Sequence, residues 1–366
     1  LYYVPDSLTT FKYIRLNVHF MDDSKGDKNF SLEEGRRYMK ALIDNANFRL
    51  GENHKMNLPP GNSTPALEPR YRYKIVGAGL SDEDDGFYKH YDDDLYYFVN
   101  KGKYKNNYNR DVIDAYAIGA DSIINIFVMP HHPDSLHSSY YKPHRTGIAL
   151  GTSLKIAGMI EEGSEAWNFA TLLNHEIGHI LGLSHSWLRH DRCEDTPPHS
   201  NCWSQTGTPP CEGVVSNNMM DYNASQMAIT PCQLGIVHKG FSKHSSRNRK
   251  LVKKNLCTLD VSKDIIIDQE VSWYGARDIV HNIDILENGI LHIYCRLSLP
   301  ENARITVYPG GKIILHDATL HNDCGDKWYG IELQTRGELS GELICYGKCK
   351  ISDTYNEKDN INQTLQ

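Results

Sequence analysis

Residues 175–185 read His175-Glu176-Ile177-Gly178-His179-Ile180-Leu181-Gly182-Leu183-Ser184-His185. Just upstream, Phe169, Leu172, Leu173, Ile177 and Ile180 recur at the spacing of one buried helical face, which predicts a helix over 166–181. On that helix His175 and His179 are four residues apart. They project from the same face about one turn apart, so both imidazoles can reach a single metal ion. Zinc takes nitrogen ligands at about 2.0–2.1 Å, and a catalytic zinc site has three protein ligands with the fourth position open to water. A straight helix cannot supply the third ligand, because position 185 would lie about 15 Å beyond His175. Gly182 removes the difficulty: it can take a positive φ, end the helix in a sharp turn and send the chain back to deliver His185. Glu176, next to the first ligand, can reach a metal-bound water as a general base.

Working outward, residues 1–245 read as one unit of mixed helices and strands. Residues 11–20 alternate and are rich in β-formers, predicting a strand. Ser31-Leu32-Glu33-Glu34 is a capping box opening a helix that carries Tyr38, Met39, Leu42 and Ile43 on one face. Strands are expected at 71–76, 123–128 and 147–150, and a helix over 109–117. From 185 to 231 the chain lacks periodicity and is rich in Pro, Ser, Asn and Cys, which predicts irregular loops. Residues 246–257 read as a linker, the basic stretch 239–254 as solvated, and the His131-His132 pair as surface residues. From 258 to 366 three segments beginning at Gly289, Gly311 and Gly337 each alternate apolar residues after a glycine. That pattern predicts an all-β accessory domain, either a stacked β-solenoid or a β-sandwich.

Composition narrows the function classes. The chain has 366 residues, 40% hydrophobic and 23% charged, which is globular and long enough for two domains. A net charge of −7 argues against a nucleic-acid partner, and no apolar run reaches the roughly 18 residues of a membrane span. The acidic runs Asp82–Asp85 and Asp92–Asp94 read as solvated loops. The chain opens Leu1-Tyr2-Tyr3 without an initiator Met, as expected of a mature piece. Four of the nine cysteines, Cys193, Cys202, Cys211 and Cys232, fall within 40 residues, a density that suits an oxidising compartment. The other five, Cys257, Cys295, Cys324, Cys345 and Cys349, are odd in number, so at least one lacks a partner within that group.

The eleven-residue stretch, H-E-x-x-H-x-x-G-x-x-H, resembles the metzincin metallopeptidases. Members place a methionine-bearing turn beneath the metal, and Asn218-Met219-Met220-Asp221-Tyr222 is similar to the N-x-M-x-Y form of the pappalysin, or ulilysin-like, family. Asp195-Thr196-Pro197 resembles that family's D-T-P segment. The resemblance is specific over about 174–232 and absent beyond about 245. It implies an α+β zincin fold, with a mixed twisted sheet, an active-site helix and a Met-turn. It implies Zn2+ held by His175, His179 and His185, Met220 as the turn methionine, and Tyr222 assisting the oxyanion. It also implies disulfides Cys193–Cys211 and Cys202–Cys232. The family's longer D-x-V-x-D-T-P loop is linked to calcium, but here only Glu194 and Asp195 precede Thr196, which puts Ca2+ in doubt.

The function expected from this reading is that of a secreted or extracytoplasmic zinc endopeptidase acting on protein or peptide substrates, with Glu176 as general base. An extended peptide would add antiparallel to the edge strand expected at 147–151. The competing expectation is a non-catalytic adhesion or matrix-binding protein with a vestigial zinc site, against which the intact Glu176 argues. The accessory domain is expected to bind a surface, a glycan or a partner protein and to add no catalytic group.

Overall fold

The computed structural model describes residues 4–98, 108–137, 145–161, 163, 165–203, 211, 215–223, 225–243, 245–252, 255–355 and 362–365. The chain divides into two compact units. One comprises Lys12–Phe241 and Ser245–Val252, the other Leu1–Phe11, Ser242–His244 and Lys253–Gln366. The first eleven residues therefore group with the C-terminal unit, where Asp6 pairs with Arg277 and Thr10 donates to the Asp278 carbonyl. Residues 245–252, most of which were expected to be linker, group with the histidine-bearing unit.

The histidine-bearing unit is built on a mixed sheet ordered β2-β1-β4-β6-β5, with β3 also on β1. Strand β1 (Lys12–Asp22) is long enough to pair in parallel with β2 (Tyr71–Ile75) over its first half and β3 (Phe87–Tyr91) over its second. Its other edge pairs with β4 (Ile124–Val128), which pairs in parallel with β6 (Ser153–Ala157). Ile14, Leu16, Val18 and Phe20 are wholly buried along β1, and every residue of β4 is buried. Both faces of the sheet are thus covered, as parallel strands require. Strand β5 (Thr146–Leu150) runs antiparallel to β6 and, among the described residues, pairs on that side alone.

Helix α1 (Leu32–Gly51) begins with the capping box as expected: Glu34 N–H donates to the Ser31 hydroxyl, and the Ser31 N–H to the Glu34 carboxylate. It buries Met39, Leu42, Ile43, Ala46 and Leu50. Gly35 lets it approach the sheet, since a Cβ there would lie 2.4 Å from the Phe20 ring. Helix α2 (Asp111–Tyr116) is shorter than its predicted span, because Ala117 turns extended. A short helix α3 (Pro133–Leu136) follows β4. The expected helix 166–181 is a 3-10 turn over Ala166–Phe169 continued by α4 (Ala170–Ile180), and α5 (Pro231–Ser242) and α6 (Arg247–Lys250) close the unit. His131 is buried rather than at the surface. It lies three residues past the end of β4, and its N–H is held by the Glu161 carboxylate.

The C-terminal unit is all-β. Its strands are β7 (Ile265–Ile267), β8 (Glu270–Trp273), β9 (Arg277–Asp278), β10 (Ile283–Ile285), β11 (Ile290–Ile293), β12 (Arg296–Ser298), β13 (Arg304–Val307), β14 (Lys312–His316), β15 (Thr319–His321), β16 (Gly330–Leu333), the short hairpin β17–β18 (Thr335–Arg336, Leu339–Ser340), β19 (Glu342–Ile351) and β20 (Asn362–Leu365). Strands pair in parallel in three ladders, β7-β10-β13-β16, β8-β11-β14-β19 and β9-β12-β15-β19, with a spacing of three strands up to the last step of the second and third, where the long β19 closes both. The alternating apolar residues form one core that runs from Ile265 through Leu291, Ile305 and Leu315 to Ile351. Disulfides Cys257–Cys324 and Cys345–Cys349 lie in this unit and leave Cys295 unbridged.

The other two disulfides are not those expected. The structure joins Cys193 to Cys232 and Cys202 to Cys211, each pair with Cα atoms 5.6 Å apart. The reason is Asp195. Its carboxylate accepts from Thr230 Oγ1 at 2.7 Å and from the Cys232 N–H at 3.0 Å. That draws the 193–195 segment onto the first turn of α5 and sets Cys193 beside Cys232, so Cys202 is bridged to Cys211 nine residues on.

Gly35→Ala should lower stability by about 1–3 kcal/mol, the cost of overpacking against a buried ring. Urea unfolding checks it; an unchanged midpoint would show that α1 and β1 are not held this closely.

Candidate metal centre

Helix α4 is anchored from below before it presents any side chain. Asn174 Nδ2 donates to the Ala46 carbonyl of α1, and Leu173 and Ile177 are wholly buried. The exit is a Schellman turn. Gly182 has φ +99°, its N–H donates to His179 O, and the Leu183 N–H donates to Gly178 O, both at 3.0 Å. The turn reverses the chain as anticipated and brings His185 back to the face that carries His175 and His179.

The three Nε2 atoms converge. His179 Nε2 lies 3.1 Å from that of His175 and 3.1 Å from that of His185. Nδ1 of His175 is 2.9 Å from the Met219 carbonyl, and Nδ1 of His179 is 2.9 Å from the Leu183 carbonyl. A carbonyl only accepts, so each of these rings carries its proton on Nδ1 and turns an Nε2 lone pair inward. The two inward nitrogens then cannot hydrogen-bond each other. Burial also holds the rings neutral: it pushes His175 down to about 3 and His185 to about 4, in each case helped by His179, and it lowers His179 as well. The inward lone pairs of His175 and His179, 3.1 Å apart, repel one another unless a cation lies between them. Tetrahedral ligands 2.0–2.1 Å from one zinc ion would sit about 3.3 Å apart, so the donor set and its spacing fit that ion.

Glu176 is buried on the strand side of the centre. Its carboxylate accepts the Ala149 N–H of β5, and a Cβ on Gly147 would lie 2.9 Å from its Cγ. Burial pushes its carboxyl up to about 7. Edge strand and carboxylate are therefore in direct contact.

The stretch 218–222 forms the floor. Met220 is wholly buried under α4, and a Cβ on Gly178 would stand 2.5 Å from its sulfur. The turn is locked by a reciprocal amide pair: Asn218 Nδ2 donates to Gln233 Oε1 at 2.9 Å, and Gln233 Nε2 to Asn218 Oδ1 at 3.1 Å. Asn218 Oδ1 also accepts the Met220 N–H. Tyr222 is half exposed, with its ring 5.6 Å from that of His175 and 4.9 Å from that of His185.

The structure thus brings together His175, Glu176, His179, His185, Met220 and Tyr222. Sequence reasoning missed several residues beside them. Gln226 Nε2 donates to the Asp221 carbonyl at 2.5 Å and lies 3.2 Å from His175 Nδ1. Asp221, buried, accepts from the Ser186 hydroxyl at 2.5 Å and faces His199 Nε2 at 3.0 Å. Trp187 stacks on His185. No periodicity marks these positions; nearness in sequence to the third histidine or the Met-turn is the one signal they carry. A pocket of about 280 Å3 elsewhere on this unit is lined by Asn45, Phe48, Arg49, Glu52, His54, Trp167 and Met227, none of them a residue of the centre.

Gly178→Ala should destabilise the metal-free protein by about 1–3 kcal/mol through the clash with Met220. In a double-mutant cycle, Met220→Ala should relieve part of that loss. Additive losses in urea unfolding would mean that the two positions do not meet.

No protein-family model matches the chain. It is 30% identical over 122 residues to an extracellular metalloprotease of Arthroderma otae. The match covers 29% of this chain and spans 45% of the length of that relative. Among solved structures it is similar to mirolysin in complex with a small compound (17% identity, TM-score 0.47). It is also similar to mature mirolysin of Tannerella forsythia in complex with a cleaved peptide (19% identity, TM-score 0.44). These matches cover 66% and 68% of this chain and 96% of each of those chains. The curated relative that the sequence matches is a metalloprotease, in agreement with the metzincin resemblance carried by residues 175–185 and 218–222.

Proposed function

We propose that the chain is a secreted, zinc-dependent endopeptidase of the metzincin kind and pappalysin-like. The observation that carries this reading is the convergence of three neutral imidazole nitrogens beside a buried carboxylate that touches an edge strand. Zn2+, when bound by His175, His179 and His185, supplies Lewis-acid polarisation of a water molecule and of the scissile carbonyl. Glu176, whose raised pKa suits it to hold a proton, takes one from the attacking water and passes it to the leaving amine. The Tyr222 hydroxyl, half exposed beside the histidines, donates to the developing oxyanion.

An extended peptide fits antiparallel to β5, whose outer edge carries no partner strand among the described residues. Backbone pairing there gives affinity. Four disulfides and the extracellular relative support secretion. No helix among the described residues is long and apolar enough to cross a membrane. The catalytic unit is the one built on 12–241. The parallel stacking in the C-terminal unit supports a β-solenoid whose role is to hold the enzyme on a surface, a glycan or a partner protein. An adhesion protein with a vestigial site would have no need of an intact Glu176 against β5.

The full chain supplied with zinc should cleave casein or a peptide library, and a chelator should abolish cleavage. Glu176→Ala should keep one zinc per molecule and lose turnover about 100- to 10,000-fold; cleavage at the wild-type rate would overturn the mechanism. His185→Ala should lose zinc, measured by metal analysis, whereas Tyr222→Phe should keep it and slow turnover about tenfold, the effect of losing one of two oxyanion partners.

A further inference from the structure

The three histidines are not held alike. An imidazole whose Nε2 points at a metal keeps one freedom, rotation of the ring plane, and a second contact must fix it. For His175 and His179 that contact is the hydrogen bond from Nδ1 to a backbone carbonyl. For His185 no hydrogen bond at Nδ1 is described among the described residues. Instead the Trp187 indole lies flat on its ring, with centroids 4.1 Å apart and planes 13° apart. The indole is fenced in turn by Tyr222, 4.8 Å away, and Tyr222 closes the triangle at 4.9 Å from His185. Between the two stacked residues, Ser186 is wholly buried and tied to Asp221 of the Met-turn. The backbone that carries both rings is therefore anchored, and the stack is a fixed feature rather than a chance contact of two surface rings.

We infer that Trp187 is a positioning residue that sets the ring plane of His185 by stacking, where the other two histidines rely on a hydrogen bond. The inference rests on the metal-centre reading above. Offset aromatic stacking prefers the near-parallel geometry found here. A flat face is the only attribute this role needs, so a smaller aromatic ring should serve and an aliphatic side chain should not. The indole edge contributes no metal ligand, so its loss should leave the number of zinc ions bound unchanged and loosen the hold on each.

The test compares Trp187→Phe with Trp187→Leu, since leucine keeps an apolar filling without a flat face. The readouts are zinc affinity by chelator competition and the absorption spectrum of the cobalt-substituted protein. Trp187→Leu should bind zinc about tenfold more weakly, within the range for loss of a contact that orients a ligand, and shift the cobalt bands. Trp187→Phe should stay near wild type in both. Equal affinity and spectra for wild type and Trp187→Leu would overturn the inference, as would a Trp187→Phe loss as large as that of Trp187→Leu. A raised KM at unchanged zinc affinity would also overturn it and make Trp187 a substrate contact. Absence of zinc binding by the wild-type chain, or binding indifferent to His185→Ala, would instead defeat the metal-centre reading itself.

Discussion

Three imidazole Nε2 atoms converge, that of His179 lying 3.1 Å from each of the other two, an arrangement that suits a cation among them, and the rest of the unit is organised to impose it. Two of the nitrogens cost little, because one turn of helix places them. The third needs the left-handed Gly182, and with it a chain that leaves the helix and comes back. Everything beneath secures that return. Met220 fills the space that Gly178 leaves, and the Asn218–Gln233 amide pair locks the turn carrying Met220 onto α5. Asp221 ties the same turn to Ser186, next to the third histidine. The turn at Met220 is thus a keel for the two chain segments that carry the three histidines.

The edge strand belongs to the same construction. Gly147 has no side chain because Glu176 occupies the space, and the Ala149 N–H is already spent on that carboxylate. A group able to move protons and a strand edge able to pair with an extended chain therefore lie in contact. Burial raises the pKa of Glu176 while its neighbours 175 and 179 are kept neutral, so one helix presents two chemistries from adjacent residues.

How much of this was legible in the sequence follows from range. The capping box at Ser31, the helix carrying His175 and the turn at Gly182 are set by residues within a few positions of one another, and the structure has them where the pattern puts them. Strands β1, β2, β4 and β5 alternate or run apolar and were readable, whereas β3 (Phe87–Tyr91) and β6 (Ser153–Ala157) were not predicted, being short segments recruited to the sheet by pairing with β1 and β4. The disulfide pairing was not. It depends on Asp195 reaching Thr230 and Cys232 across 35 residues of irregular chain, a contact that no spacing announces. The grouping of residues 1–11 with the C-terminal unit rests likewise on single long-range pairs, Asp6 with Arg277 and Thr10 with Asp278. Burial of His131 was missed because its surroundings come from another segment, through Glu161. In the C-terminal unit the glycine-led repeats gave the β character, but parallel pairing of successive turns is a matter of register between strands about twenty residues apart, such as Ile283 with Ile305.

The proposal most directly open to measurement is that one zinc ion is held by three imidazole nitrogens, with an oxygen ligand in the fourth position. X-ray absorption at the zinc edge of the loaded full chain measures this directly. The account predicts a first shell of three nitrogens and one oxygen at about 2.0–2.1 Å, with the outer-shell scattering of three imidazole rings and no sulfur. A sulfur scatterer at about 2.3 Å, or scattering from fewer than three imidazoles, would contradict it.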